Sequence, residues 1–248
     1  MKGIVENSES AKKNSEYYNK FWNKYKLNNE DKVRALFIKR KLKKYSSKYC
    51  EILDLGCGYG WMSSFLKDFG NYNGVDFSEN AISFANKEFK NNGNFFLADT
   101  NSETLGFPKN KKFDIIVCSE VIEHVIDHQS FVNQLYSFLK KGGLLILTTP
   151  NGDIWKEFLK MHSRESMQPV ENWLTPKALI NLFVQNDFMP IENHGRIIFP
   201  ALKNQYTARF SRIIDRIVHF FFIEDLFMRF FKKNSLYQML VLKKNDKT

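Results

Sequence analysis

The chain is poor in the features that mark several protein classes. It has three cysteines, Cys50, Cys57 and Cys118, and no CxxC pair. That pattern argues against a disulfide framework and against a zinc site. No run of 18 apolar residues occurs, so no membrane-spanning helix is expected. The first residues are polar and carry no apolar signal segment, and no internal repeat is visible. The expectation is a cytoplasmic protein, soluble or peripheral at the inner face of the membrane.

What is present suits one α/β domain with appendages across residues 1–248. Hydrophobic residues make up 43%, enough for a sizeable core. The net charge of +10 is unevenly placed. Residues 1–50 carry 14 Lys/Arg against 5 Asp/Glu, residues 51–203 carry 14 against 18, and residues 204–248 carry 9 against 4. Basic ends can meet nucleic acid, anionic lipid or an acidic substrate, or form a solvated surface.

The stretch Glu51-Ile52-Leu53-Asp54-Leu55-Gly56-Cys57-Gly58-Tyr59-Gly60 organises the chain. An apolar-rich strand runs into an acid, glycines follow at alternate positions, and Trp61 to Leu66 reads as a helix start. This is the nucleotide-cradling corner of a doubly wound sheet. Glycine lets the backbone turn tightly and a ligand approach it.

Short apolar runs at 50–55, 72–77, 95–98, 113–118 and 144–149 predict five strands buried on both faces of a parallel sheet. Helices are predicted from about 61 to 69, 79–91, 130–139 and 176–183, with Ser78 and Thr175 as N-caps and Pro176 opening its helix. Strands at 188–199 and 236–243 complete the sheet. An N-terminal helical flank, residues 1–48, contains an aromatic helix from about 15 and a second helix at 31–44. Residues 153–172 show no regular pattern. Residues 200–233 form an aromatic, basic insertion whose 204–233 stretch reads as helical. That stretch can pack as a lid, lie on an anionic membrane or form a dimer face.

Acids close the first three strands: Asp54, Asp76 and Asp99. Asp76 follows Asp54 by 22 residues, the separation at which a carboxylate can take ribose hydroxyls. NAD and S-adenosylmethionine both meet that requirement. The GxGxG spacing and the lack of Arg or Lys in the loop disfavour a pyrophosphate.

Ile52 to Gly60 resembles motif I of class I S-adenosylmethionine-dependent methyltransferases. Gly74-Val75-Asp76-Phe77-Ser78 resembles their ribose-binding strand end, and Phe113-Asp114-Ile115-Ile116-Val117 their fourth strand. Leu139-Lys140-Lys141-Gly142-Gly143 resembles their turn before strand five, with Lys141 where proline is usual. The resemblance spans roughly residues 17–199 plus the last strand. Glu120-Val121-Ile122-Glu123-His124-Val125 resembles the ubiquinone-biosynthesis O-methyltransferase-like group.

The resemblance implies a seven-stranded, mostly parallel Rossmann-like sheet with helical cap elements, and S-adenosyl-L-methionine as cofactor. Gly56, Cys57, Gly58 and Gly60 would lie against its methionyl part, with Asp54 near the amino group. Asp76 would hold the ribose. Asp99 and Thr100 would address the adenine, with Phe77 on its face. Ser119 and Glu120 would line the methyl end. For chemistry the candidates are His124, Glu123 and Glu120, as base, positioning group or plain structural residues. Glu120, Glu123 and His124 would share one helical face and could hold a divalent ion. No downstream partner matches cleanly, so a metal is not favoured. Tyr18, His128 and Trp173 are candidate acceptor contacts.

The expected reaction is O-methylation of a small molecule, a sugar or glycan precursor, or a quinone-like lipid, by direct displacement. RNA 2′-O-methylation is the alternative within the class. It is weakened because no aromatic–basic RNA-binding module is visible, and nucleic acid is not a favoured partner. A non-catalytic binding subunit is the alternative outside the class.

Overall fold

The computed structural model describes residues 16–22, 26–47, 49–99, 105–107, 110–161, 168–198 and 235–245. Seven strands form one sheet in the order β3-β2-β1-β4-β5-β7-β6. They are β1 (Cys50–Leu55), β2 (Gly70–Asp76), β3 (Asn94–Leu97), β4 (Phe113–Ser119), β5 (Leu139–Pro150), β6 (Phe188–Ile198) and β7 (Ser235–Lys244). The first five run parallel. β7 lies antiparallel between β5 and β6. The order reverses between β1 and β4, which opens a crevice at their carboxyl ends.

Alternate strand residues enter two cores. Leu53, Leu55, Ile116, Leu145 and Leu147 meet Phe131, Val132 and Leu135 of α5 (His128–Phe138) and Leu179 and Phe183 of α7 (Pro176–Gln185). Ile52, Tyr72, Ile115, Val117 and Ile146 face the other way. They meet Phe37, Ile38 and Leu42 of α2 (Asn29–Tyr45), Leu66 of α3 (Ser63–Leu66) and Ile82 and Ala85 of α4 (Glu79–Glu88). Strands covered on both faces need apolar residues at every position, which is why they read as unbroken runs.

Caps fix where helices begin. Ser78 Oγ accepts from the Ala81 amide and Thr175 Oγ1 from the Ala178 amide, as expected from sequence. Asn28 and Asp31 form a reciprocal capping box at the start of α2. Residues 16–22 form helix α1 over the crevice. Asn19 ties it to the sheet edge, its Oδ1 accepting from Ser78 Oγ at 2.6 Å and its carbonyl from Asn80 Nδ2 at 3.1 Å.

Three expectations change. The helix after the glycine corner is only one turn of α3 followed by a 3-10 turn, Lys67–Phe69. β5 starts at Leu139, absorbing the Lys-Lys-Gly-Gly turn into a strand with a register shift against β4. Residues 153–172, read as patternless, contain α6 (Gly152–Met161). Ile154, Trp155 and Phe158 recur at helical spacing and pack on Leu236 and Tyr237 of β7. Asn151 Oδ1 accepts from the Asp153 amide to start that helix. The insertion at 200–233 and Thr100 lie outside the described residues. No helix among the described residues is long and apolar enough to cross a membrane.

Candidate active site

The glycine corner is built by left-handed backbone at Gly56, Gly58 and Gly60, with φ of 74°, 51° and 73°. Side chains rarely adopt this conformation. A Cβ at Gly56 would strike Val121, and one at Gly58 would strike the Trp22 ring. The amides of Gly56 and Cys57 both donate to the Val75 carbonyl, at 2.8 and 3.0 Å, which folds the corner back onto β2. Trp22 thus carries α1 across the corner, its ring 5.1 Å from that of Tyr59.

Two acids stand behind this corner. Asp54 is fully buried, and its Oδ2 accepts from the Tyr72 hydroxyl at 2.8 Å. Its Oδ1 has no partner among the described residues. Burial pushes its carboxyl up to about 7, the Tyr72 bond opposing and the Asp76 charge adding. Asp76 accepts from the Gly58 amide and the Ser78 amide, both at 2.9 Å. Burial raises it to about 6 despite those bonds. Each engaged oxygen of Asp76 keeps a second lone pair for a ligand hydroxyl.

A cavity of about 270 Å³ opens in front. Of the residues singled out from sequence, Tyr18, Gly56, Cys57, Ser119, Glu120, Glu123, His124 and Trp173 line it. Asp54, Gly58, Gly60, Asp76, Phe77 and Asp99 do not line it. Asp99 is exposed beyond β3, and Phe77 packs edge-on against Tyr18 with centroids 5.1 Å apart. His128 does not line the cavity either. Its Nε2 donates to the Ile122 carbonyl at 2.9 Å and closes the loop in front of α5.

The segment after β4 is not an α-helix but a 3-10 turn, Ile122–His124. Glu120 precedes it with φ 58°, an unfavourable backbone for a side-chain-bearing residue. Thr148 Oγ1 donates to Glu120 Oε1 at 3.0 Å, so Ser119 Oγ donates to Thr148 at 2.8 Å. Thr149 Oγ1 donates to Glu123 Oε2 at 3.0 Å. Burial pushes both glutamates up to about 7.

His124 is oriented from the 168–173 loop. Its Nδ1 donates to the Val170 carbonyl at 2.9 Å, which leaves Nε2 as the lone-pair nitrogen. Nε2 lies 3.8 Å from Glu123 Oε1, outside hydrogen-bond range. Burial lowers the pKa of the imidazole, with the Val170 bond opposing. The same loop is pinned by the Asn172 amide on the Glu123 carbonyl at 2.7 Å. Tyr18 reaches across, donating to Gln168 Oε1 at 2.7 Å.

None of the far-wall side chains was singled out from sequence. Glu30, Asp31 and Arg34 come from α2, Trp155 from α6 and Tyr237 from β7. Arg34 pairs with Asp31 at 2.5 Å, lies 3.7 Å from Glu120 Oε2 and sits over the Tyr237 ring at 5.3 Å. The Asn28–Asp31 capping box was the available signal, since it places Arg34 one turn into the helix. Tyr237 gave no signal, because it sits in a strand buried along most of its length. No group of three or more His, Cys, Asp or Glu able to hold a metal gathers among the described residues.

The chemistry of this lining fits S-adenosylmethionine. That cofactor carries a sulfonium and an ammonium group. The cavity presents five carboxylates, Glu30, Asp31, Glu120, Glu123 and Glu171, against one arginine. Asp54 adds a buried unpartnered oxygen behind the glycine corner.

Fold and site together define a class I, Rossmann-like enzyme that uses S-adenosylmethionine to transfer methyl groups. Comparison with known proteins agrees. The family model described as a methyltransferase domain matches residues 13–193, and the chain belongs to that family. It is similar to the ubiquinone biosynthesis O-methyltransferase of Rickettsia felis, 29% identical over 167 residues, covering 63% of this chain and 67% of the relative. That of Glaesserella parasuis is 28% identical over 188 residues, covering 70% and 75%. The fold matches an S-adenosylmethionine dependent methyltransferase from Mesorhizobium loti with a TM-score of 0.59 at 14% identity, over 85% of this chain and 97% of that one.

Proposed function

We propose that this methyltransferase methylates a hydroxyl oxygen on a ring-bearing small molecule, with His124 as the base. The observation that carries the reading is the fixed His124 tautomer. Its Nδ1–H is held by the Val170 carbonyl, which leaves Nε2 of this cavity-lining residue as the acceptor nitrogen. The lowered imidazole pKa keeps it neutral near pH 7.

Gly56, Cys57 and the acids Asp54 and Asp76 would hold the cofactor, which supplies an electrophilic methyl group when bound. The chain's own residues then orient the acceptor and exclude water. His124 Nε2 takes the hydroxyl proton. Glu123, held by Thr149, lies beside the imidazole and stabilises its charge once protonated.

The acceptor wall supports a ring with several hydroxyls. Trp155, Trp173 and Tyr237 offer flat faces, and Glu30, Asp31 and Glu120 offer hydroxyl acceptors. A sugar or glycan precursor fits that lining. The similarity to ubiquinone biosynthesis O-methyltransferases favours a second acceptor, a hydroxylated quinone-like ring. Acceptor-dependent release of S-adenosylhomocysteine, measured with hydroxylated sugars, quinone precursors and RNA, tests the reading. Turnover with RNA alone would overturn it.

A further inference from the structure

Asp54 and Tyr72 form a buried pair that the methyl-transfer scheme does not use. They stand diagonally on adjacent strands, Asp54 of β1 opposite Gly74 and Tyr72 of β2 opposite Ile52, on the α2 side of the sheet. Tyr72 is 1% exposed and its ring packs against Phe95 at 5.5 Å. Its hydroxyl donates to Asp54 Oδ2 at 2.8 Å and also lies beside the Cys57 thiol. The opposite oxygen, Oδ1, is buried and without a partner among the described residues. A half-satisfied buried carboxylate costs stability while ionised and gains most when a cation arrives.

We propose that Tyr72 is a positioning residue that fixes the Asp54 carboxyl behind the glycine corner, and that cofactor binding there draws the proton from Asp54, so that cofactor uptake releases a proton to solvent. The inference rests on the cofactor assignment. The groups facing Asp54 are few. From β2 come Tyr72 and Asp76 and from the glycine corner Cys57, with Cys118 of β4 interacting from the other face of the sheet. Burial pushes the Tyr72 hydroxyl and both thiols up, so all three stay neutral. Asp76 is then the one neighbour of these that carries charge, and it opposes ionisation of Asp54. A cofactor held by the glycine corner would bring an ammonium, and in S-adenosylmethionine a sulfonium, toward this raised carboxyl, and that positive charge would favour its ionised form. The bond broken is the carboxyl O–H, and the proton passes to buffer.

The test is calorimetric titration of S-adenosylhomocysteine, whose ammonium is retained, into the full chain at pH 7 in phosphate and in Tris. The expected result is a binding enthalpy that differs between buffers, in the sense of a net proton release of less than one proton per site. Equal enthalpies in both buffers would overturn the proposal without touching the cofactor assignment, whereas absence of binding would remove the assignment itself. Asp54→Asn is expected to bind more weakly with the buffer dependence lost. Tyr72→Phe keeps the ring and removes the hydroxyl, so Asp54 holds its proton more tightly. The pH of maximal proton release should therefore move upward in that variant. A structural role alone would weaken binding equally at every pH. An unmoved maximum, or undiminished release in Asp54→Asn, would equally overturn the proposal.

Discussion

At the scale of single residues, His124 and Glu120 make separable predictions. The base must be neutral to accept a proton, and the pKa of His124 is lowered from its ordinary 6.5. Protonation therefore switches the base off only as pH falls through a midpoint below 6.5, and activity at pH 7 stands on the plateau of that group. An NMR titration of the His124 ring checks the midpoint, and a value above 6.5 contradicts the burial argument. His124→Gln should lower kcat by roughly 10²- to 10⁴-fold with S-adenosylhomocysteine affinity retained. Glu120 is different, because its cost lies in the backbone. Left-handed geometry at a residue with a long side chain costs about 1–2 kcal/mol, and asparagine tolerates it better. Glu120→Asn should raise unfolding free energy by about 1 kcal/mol in urea while lowering turnover. No gain in stability would remove the strain reading.

At the scale of elements, α2 is held at both ends. Its first turn reaches the cavity through Glu30, Asp31 and Arg34. Its last turns are held by β6. Lys41, 2% exposed, meets Glu192 at 2.7 Å, Lys44 meets it at 2.8 Å, and His194 and Tyr45 complete the cluster. Burial works against the charged Glu192, but the bonds from Lys41, Lys44 and Tyr45 prevail and hold its carboxyl well below the usual range. A depressed carboxylate contributes stability above its ordinary pKa of 4.5 and loses it as pH falls below that value. Glu192→Gln leaves Lys41 without the carboxylate it faces and should cost about 3–5 kcal/mol. Lys44→Ala removes a half-exposed partner and should cost less than about 1 kcal/mol. Urea unfolding of both variants tests the contrast, and equal losses would contradict it. The strands and the glycine corner were legible in the sequence because each signal is local: an apolar run, a left-handed turn, a cap. The Glu192 cluster, α6 and the wall formed by Arg34, Trp155 and Tyr237 were not. Their meaning depends on which elements meet in space, and β7 brings Tyr237 to the cavity only after crossing between β5 and β6. His128 shows the converse case, a local signal whose ring the fold engages elsewhere. It stands four residues after His124 in sequence, yet its ring is committed to the Ile122 carbonyl.

At the scale of the whole molecule, the charge of the chain and the charge of the cavity lining have opposite signs. The chain has a net charge of +10, and its first 50 residues hold 14 Lys/Arg against 5 Asp/Glu. The cavity inverts this, with five carboxyl groups, two of them (Glu120 and Glu123) raised to about 7, and one arginine that is already paired. An anionic group on the reacting ring would therefore enter a repulsive field in a poorly screened space. An anionic tether outside the cavity would meet the basic flank instead. The two effects separate in kinetics. A ring carboxylate should abolish turnover of an otherwise good acceptor at any salt concentration, because screening is weak in a buried site. A remote phosphate should raise kcat/KM at 50 mM salt, and that gain should shrink at 200 mM as surface charges are screened. Measuring kcat/KM for a neutral acceptor, its ring-carboxylate analogue and its phosphate-tethered analogue at the two salt concentrations tests this division. If the ring-carboxylate analogue turns over as fast as the neutral one, the acidic lining does not select the acceptor.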